Sequence, residues 1–235
     1  MITRSFRLLV TALALWSLPA SSERMPTPRS LPDLNAPPQG STQWIARNMR
    51  MNGLPMTLKA FNSRLSPAGV LAYYESQLKT SSSHETRRMM KSPWQVLMFR
   101  SHAHFITVHA RATIGGSEGT ILVSPALDPA ALHVRTDFPR PSTARIVNLQ
   151  QYDDAGMQSE HISLSSGRTP FVEAQAFSQL LTRDGWTLIS TRPTHETHRG
   201  FVLEAQREAE HALLVIIPDM ARPASTAIVV TWKKS

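Results

Sequence analysis

Apolar positions change period repeatedly along the chain, and each change marks an element. Met49 to Met51 and Leu54 to Phe61 alternate apolar and polar side chains on either side of Asn52-Gly53. A period of two belongs to a strand with one buried face, and Asn-Gly between two such runs predicts a type I′ hairpin. The spacing then becomes helical. Val70, Leu71, Tyr74 and Leu78 share one face, behind Ser66 as a hydroxyl cap and Pro67 at the first helical position. Three strands follow, Trp94 to Phe99, His104 to Ala112 and Gly119 to Ser124. Their short connections make them antiparallel neighbours.

The same succession returns near the C-terminus. Arg145 to Gln151 and Gln158 to Leu164 flank a turn at Asp153-Asp154-Ala155-Gly156. Thr169-Pro170 opens a second helix whose apolar face carries Ala174, Phe177, Leu180 and Leu181. Phe201 to Gln206, His211 to Ile217 and Thr226 to Trp232 complete the series. A shift of 103 places Gly53 on Gly156, Phe61 on Leu164 and Tyr74 on Phe177. Beyond the helix a shift of 107 places His104 on His211, Val108 on Val215 and Ile121 on Ile228. This predicts an α+β fold of two tandem, weakly similar modules, residues 44–125 and 144–235. Each is a β-hairpin, one helix and a three-strand antiparallel meander, with the helix packed on the sheet. In element order alone the modules resemble the small helix-on-sheet domains that recur in tandem in bacterial periplasmic proteins, and no motif assigns a family.

Three segments fall outside this pattern. Residues 1–20 carry Arg4 and Arg7, then an apolar run from Leu8 to Leu18, then Pro19-Ala20-Ser21-Ser22. That is the layout of a secretory signal peptide, and the run is shorter than the roughly 20 residues of a membrane span. Residues 21–43 hold Pro26, Pro28, Pro32, Pro37 and Pro38 without apolar periodicity, which predicts an extended, disordered linker. Residues 126–143, with Pro129, Pro139 and Pro141, form a second linker between the modules. A periodic chain behind a cleaved signal is periplasmic or secreted, with no transmembrane segment after cleavage.

Composition narrows the chemistry. The chain has no cysteine, so it has neither disulfides, nor thiolate metal sites, nor a cysteine nucleophile. Its nine histidines include His102, His104 and His109, and a His195-Glu196-Thr197-His198 loop that lacks a third ligand of evident type. Serine has no nucleophile elbow. Gly115-Gly116-Ser117-Glu118-Gly119 lacks the following helix of a phosphate-binding loop and reads as a hairpin. Asp153-Asp154 sits at a turn, where Asp is ordinary. The expectation is therefore no catalytic, cofactor-binding or metal-binding residue, and no enzyme.

The net charge of +8 leaves basic residues as the main chemical signal. Arg87, Arg88 and Lys91 form a short cluster just before the Trp94 strand, a candidate partner-binding patch. Aromatic residues are only 7% of the chain, few stacking platforms for a nucleic acid, and none is expected as a partner. These features describe an exported, non-catalytic binding or accessory protein of the bacterial cell envelope, engaging a protein partner, with contact to anionic envelope surfaces as an extension of the same charge. The alternatives are a histidine-based metal- or ligand-binding periplasmic protein, and a hydrolase with an unrecognised site.

Overall fold

The structure, a computed structural model, describes residues 31–79, 85–127, 132–154, 156–194, 200–222 and 225–234. The expected signal peptide, residues 21–30 of the proline-rich stretch and the loop of His195, Glu196 and His198 lie outside the described residues.

The first half runs β1 (Gly40–Met51), β2 (Leu54–Ser63), α1 (Pro67–Leu78), β3 (Glu85–Lys91), β4 (Trp94–Arg100), β5 (His104–Thr113) and β6 (Gly116–Pro125). The second runs β7 (Arg145–Asp154), β8 (Met157–Ser166), α2 (Pro170–Arg183), β9 (Thr187–Pro193), β10 (Phe201–Arg207), β11 (Glu210–Pro218) and β12 (Thr226–Lys234). All twelve strands lie in one antiparallel sheet, in the order β3-β4-β5-β6-β2-β1-β7-β8-β12-β11-β10-β9.

This corrects the expected fold class. The fold is sheet-dominated, 58% strand against 14% helix among the described residues, and not a balanced α+β pair of modules. Two separate sheets do not exist because β1 and β7, the first strands of the two halves, pair at Met49↔Tyr152, Arg50↔Gln151 and Met51↔Gln150. Asn52 extends that ladder by one step. Its amide donates to the Leu149 carbonyl at 2.8 Å, and its side-chain oxygen accepts from the Leu149 amide at 2.8 Å. The meanders also have four strands rather than three, since β3 and β9 form the two outer edges.

The turn signals form where expected. Asn52 and Gly53 both take positive φ, +51° and +84°. Ser66 caps α1 by accepting from the Gly69 amide at 3.2 Å. Thr169 holds the matching place before α2, but its hydroxyl makes no cap bond. The two turn glycines differ in surroundings. A Cβ on Gly53 would lie 2.6 Å from the His133 carbonyl oxygen, whereas one on Gly156 meets nothing within 4 Å. Gly53→Ala is therefore expected to cost clearly more than the about 1–2 kcal/mol of left-handed strain that Gly156→Ala carries. Equal urea midpoints for the two variants would show that the 132–144 segment does not press on the first hairpin.

Both helices lie on one face. Arg50 stands opposite Pro55 and Gln151 in the ladder. Pro55 points the same way as Phe61, which packs on α1, and Gln151 the same way as Leu149, which packs on α2. Under α1 lie Phe61, Leu97, Phe99, Ile106, Val108, Ile121 and Val123, with Val70, Leu71 and Tyr74 from the helix. Under α2 lie Leu149, Ile162, Leu164, Leu203, Leu214, Ile216, Ile228 and Val230, with Ala174, Phe177 and Leu181. Leu180 is only partly buried, and its expected place on the buried face goes instead to Glu173. The Glu173 carboxylate accepts from the Ser166 hydroxyl at 2.6 Å and the Thr143 hydroxyl at 3.0 Å.

The segments read as linkers are partly tied down. Residues 40–43 already belong to β1. Leu31 and Leu34 pack on the α1 core, Lys59 ion-pairs with Asp33, and the Tyr74 hydroxyl donates to the Asn35 carbonyl at 2.9 Å. In the second linker Phe138 is buried against Trp186 and Trp232, with ring centroids 5.8 and 5.3 Å away. Proline removes regular structure from these stretches without freeing them, because interspersed apolar residues still find the core.

Candidate partner-binding surface

Placing both helices on one side leaves the opposite face of the sheet without a covering element among the described residues. The cross-strand register assigns side chains to it. Arg87↔Met98, Met98↔Thr107, Thr107↔Leu122 and Leu122↔Leu58 form one row. Leu58 and Leu122 pack with Ala46, Met49 and Met56 in a cluster that shares no residue with either helix core. Tyr152 of β7 packs against the same cluster, so this face carries a buried apolar patch, Ala46, Met49 and Met56, across the β1–β7 junction, and is exposed to either side of it.

The predicted basic patch divides on this geometry. Arg88 stands opposite Leu97, whose side chain is in the α1 core, so it points to the helix side and ion-pairs with Glu75 of α1. The Arg88 hydrogen bond holds the Glu75 carboxyl below its ordinary range, with a smaller contribution from Lys79. Arg87 and Lys91 point to the open face, two steps to either side of Met89. They are not bound in an ion pair with any described residue. The strand that carries all three is the outer edge, exposed almost throughout, with Met89 and Met90 at 42% and 71% exposure.

A second set of residues surrounds Lys91, of which the sequence pointed only to His109. Trp94 is its cross-strand partner. The Arg111 guanidinium lies 4.9 Å from the centroid of the Trp94 ring, and the His109 ring centroid lies 6.2 Å from it. Arg111 is also paired with Glu118, its Nε donating to Oε1 at 2.7 Å. Burial holds the His109 imidazole below its ordinary range, and the Lys91 charge adds to the effect. The signal for this cluster was present in the alternation, since Trp94 and Arg111 occupy the solvent parity of their strands. Only the register shows that they meet.

Farther along the same face the surface turns apolar. Val202, Val215 and Val229 stand in direct register across β10, β11 and β12. Leu213 and Ile217 flank them on β11, and Val229 remains 45% exposed. Near the centre a shallow cleft of about 370 Å³ is lined by Tyr152, Met157, Ser159, His161 and Lys233. His161 shares a hydrogen bond with the Thr231 hydroxyl at 3.2 Å.

The described histidines do not assemble. No three His, Asp or Glu side chains converge on a metal-binding geometry among the described residues. His211 meets Glu204 at 3.0 Å on the open face. His104 stands on the helix-side parity of β5, opposite in facing to His211. The aligned pair His104/His211 is therefore a slip. Between β5 and β11 a shift of 107 exchanges the two faces, also setting buried Val108 on open-face Val215, whereas between β6 and β12 the same shift keeps Ile121 and Ile228 both buried on the helix side.

No family model, curated protein or solved structure matches the chain. No helix among the described residues is long and apolar enough to cross a membrane.

Proposed function

We propose that this chain is an exported, periplasmic or secreted, non-catalytic binding protein of the bacterial cell envelope, and that its open sheet face engages a protein partner. One observation carries the reading: both helices lie on the same side of the twelve-stranded sheet, so among the described residues no helix covers the other side, which is exposed towards both ends and buried around Ala46, Met49 and Met56. Twelve strands at about 4.8 Å spacing span on the order of 50 Å. That is ample for a standard interface of roughly 800 Å² per partner. The surface has the composition that such interfaces use, with exposed valine and leucine at one end and Trp94, Met89 and cations at the other.

The test is site-specific photo-crosslinking in intact envelope fractions. A crosslinker at Lys91 or Val215 should capture the same discrete protein, and one at Gln179, exposed on the outer side of α2, should not. Equal capture from all three positions, or none from the two open-face positions, overturns the reading. Recovery of the chain solely from the cytoplasmic fraction overturns its envelope setting.

A further inference from the structure

We propose that β3 is a receiving edge for an acidic partner segment, which adds to the sheet as a thirteenth strand. This rests on the reading of the protein as a partner-binding protein and names the partner's chemistry. An edge strand offers a row of backbone donors and acceptors to any extended chain, and flanking side chains decide which chain is accepted. β3 ends the strand order, and no described residue pairs with its outer side. Its side chains leave a defined print. On the open face, Glu85 begins the strand, and Arg87, Met89 and Lys91 follow at alternate positions, cation, apolar, cation. On the helix side, Arg88 is already bound to Glu75, and Met90 is exposed.

Directly opposed side chains on neighbouring strands interact most strongly, favourably for opposite charges and unfavourably for like ones. The complementary segment therefore carries an acid, an apolar residue and an acid at positions i, i+2 and i+4. Charge weighs against a second copy of this chain in the antiparallel register centred on Met89, which sets Arg87 against Lys91 twice. The register centred on Arg88 opposes the two Arg88 side chains but places Glu85 opposite Lys91, so a dimer joined through β3 at the peptide-free protein's working concentration would also overturn the proposal. The opposite edge does not offer the same site. β9 carries one cation, Arg192, and ends in Pro193, which has no amide to donate. Lys91 stands beside Trp94 and, unlike Arg111, which is paired with Glu118, is bound in no ion pair with a described residue, so its charge is left for the acid opposite it.

The probe is a synthetic peptide with the core Glu-Thr-Val-Thr-Glu, compared with Lys-Thr-Val-Thr-Lys and with a scrambled Val-Thr-Glu-Glu-Thr core. Binding is followed by fluorescence anisotropy, and amide exchange is followed by NMR. The acidic peptide should bind, more weakly as salt rises, and slow exchange at alternate amides of 85–91. Arg87→Glu with Lys91→Glu should weaken it about tenfold or more, and the lysine peptide should then bind in its place. Both substitutions are at exposed side chains, and retained exchange protection in β4 and β5 shows that the variant is folded. Binding unaffected by the double charge reversal, or binding without protection in β3, overturns the proposal. If the peptide fails while crosslinking from Val215 still captures a partner, this inference falls and the binding function stands.

Discussion

Gly119→Ala should cost about 4 kcal/mol or more and leave much of the protein unfolded at ordinary temperatures. Gly119 lies in β6 with Ala110 on one side and Phe61 on the other. A Cβ there would sit 1.8 Å from the His109 carbonyl oxygen and 2.7 Å from two atoms of the Phe61 ring. The ring occupies the space that a side chain would need, and it meets Tyr74 edge-on at 6.4 Å. Strand glycines often mark such close approaches. A ring can turn aside, but the carbonyl belongs to the ladder of an interior strand and cannot move without opening it. Shortening the ring with Phe61→Leu should therefore rescue Gly119→Ala only in part. Gly167→Ala makes the control, because nothing lies within 4 Å of a Cβ at that position. Urea unfolding that finds Gly119→Ala as stable as Gly167→Ala would disprove the close approach of β5, β6 and β2.

What could be read from the sequence was whatever buries one face or needs special backbone angles. Asn52-Gly53, Ser66-Pro67 and the Val70, Leu71, Tyr74 face are local signals, and the structure places each as read. β3 was missed because an outer strand has little to bury. Glu85-Thr86-Arg87-Arg88-Met89-Met90-Lys91 shows no apolar alternation, so it reads as a charged loop. The early part of β1 was missed for another reason. Register shifts between Trp44 and Ala46 and between Ala46 and Met49 break its parity, so buried Ala46 and Met49 do not alternate cleanly.

The union of the halves was not legible at all. β1 joins β7 through backbone groups and the Asn52 side chain, and none of these differs in sequence from an ordinary hairpin. The open face followed from that union. Until both helices are known to lie on one side, Trp94, Val215 and Lys233 are only solvent positions of separate strands. The basic cluster was visible as composition, but strand alternation divides it. Arg88 serves the helix packing, while Arg87 and Lys91 face the open side.

Truncating Phe177 to alanine should lower stability by about 3–5 kcal/mol, and the loss should be confined to the second half. The ring is fully buried, among Leu149, Ile162, Leu164, Leu203, Leu214 and Ile228. The vacated space would be lined by hydrocarbon, where water gains no partners, so the cavity stays empty. Tyr74 is the counterpart on α1, but none of its core neighbours belongs to the Phe177 cluster. The two cores communicate through the short β1–β7 ladder and the methionine cluster around Met49 and Met56. Such a link is weaker than either core, so each half can open as its own cooperative unit. Hydrogen exchange on Phe177→Ala should show β11 and β12 losing protection while β5 and β6 keep theirs, and Tyr74→Ala should show the reverse. Tyr74→Phe should cost only about 0.5–1.5 kcal/mol, the worth of its hydrogen bond to Asn35. Equal loss of protection in β5 and β11 on Phe177→Ala would mean that the sheet opens as one unit, and that the backbone junction at Asn52 and Leu149 carries more of the stability than either helix core.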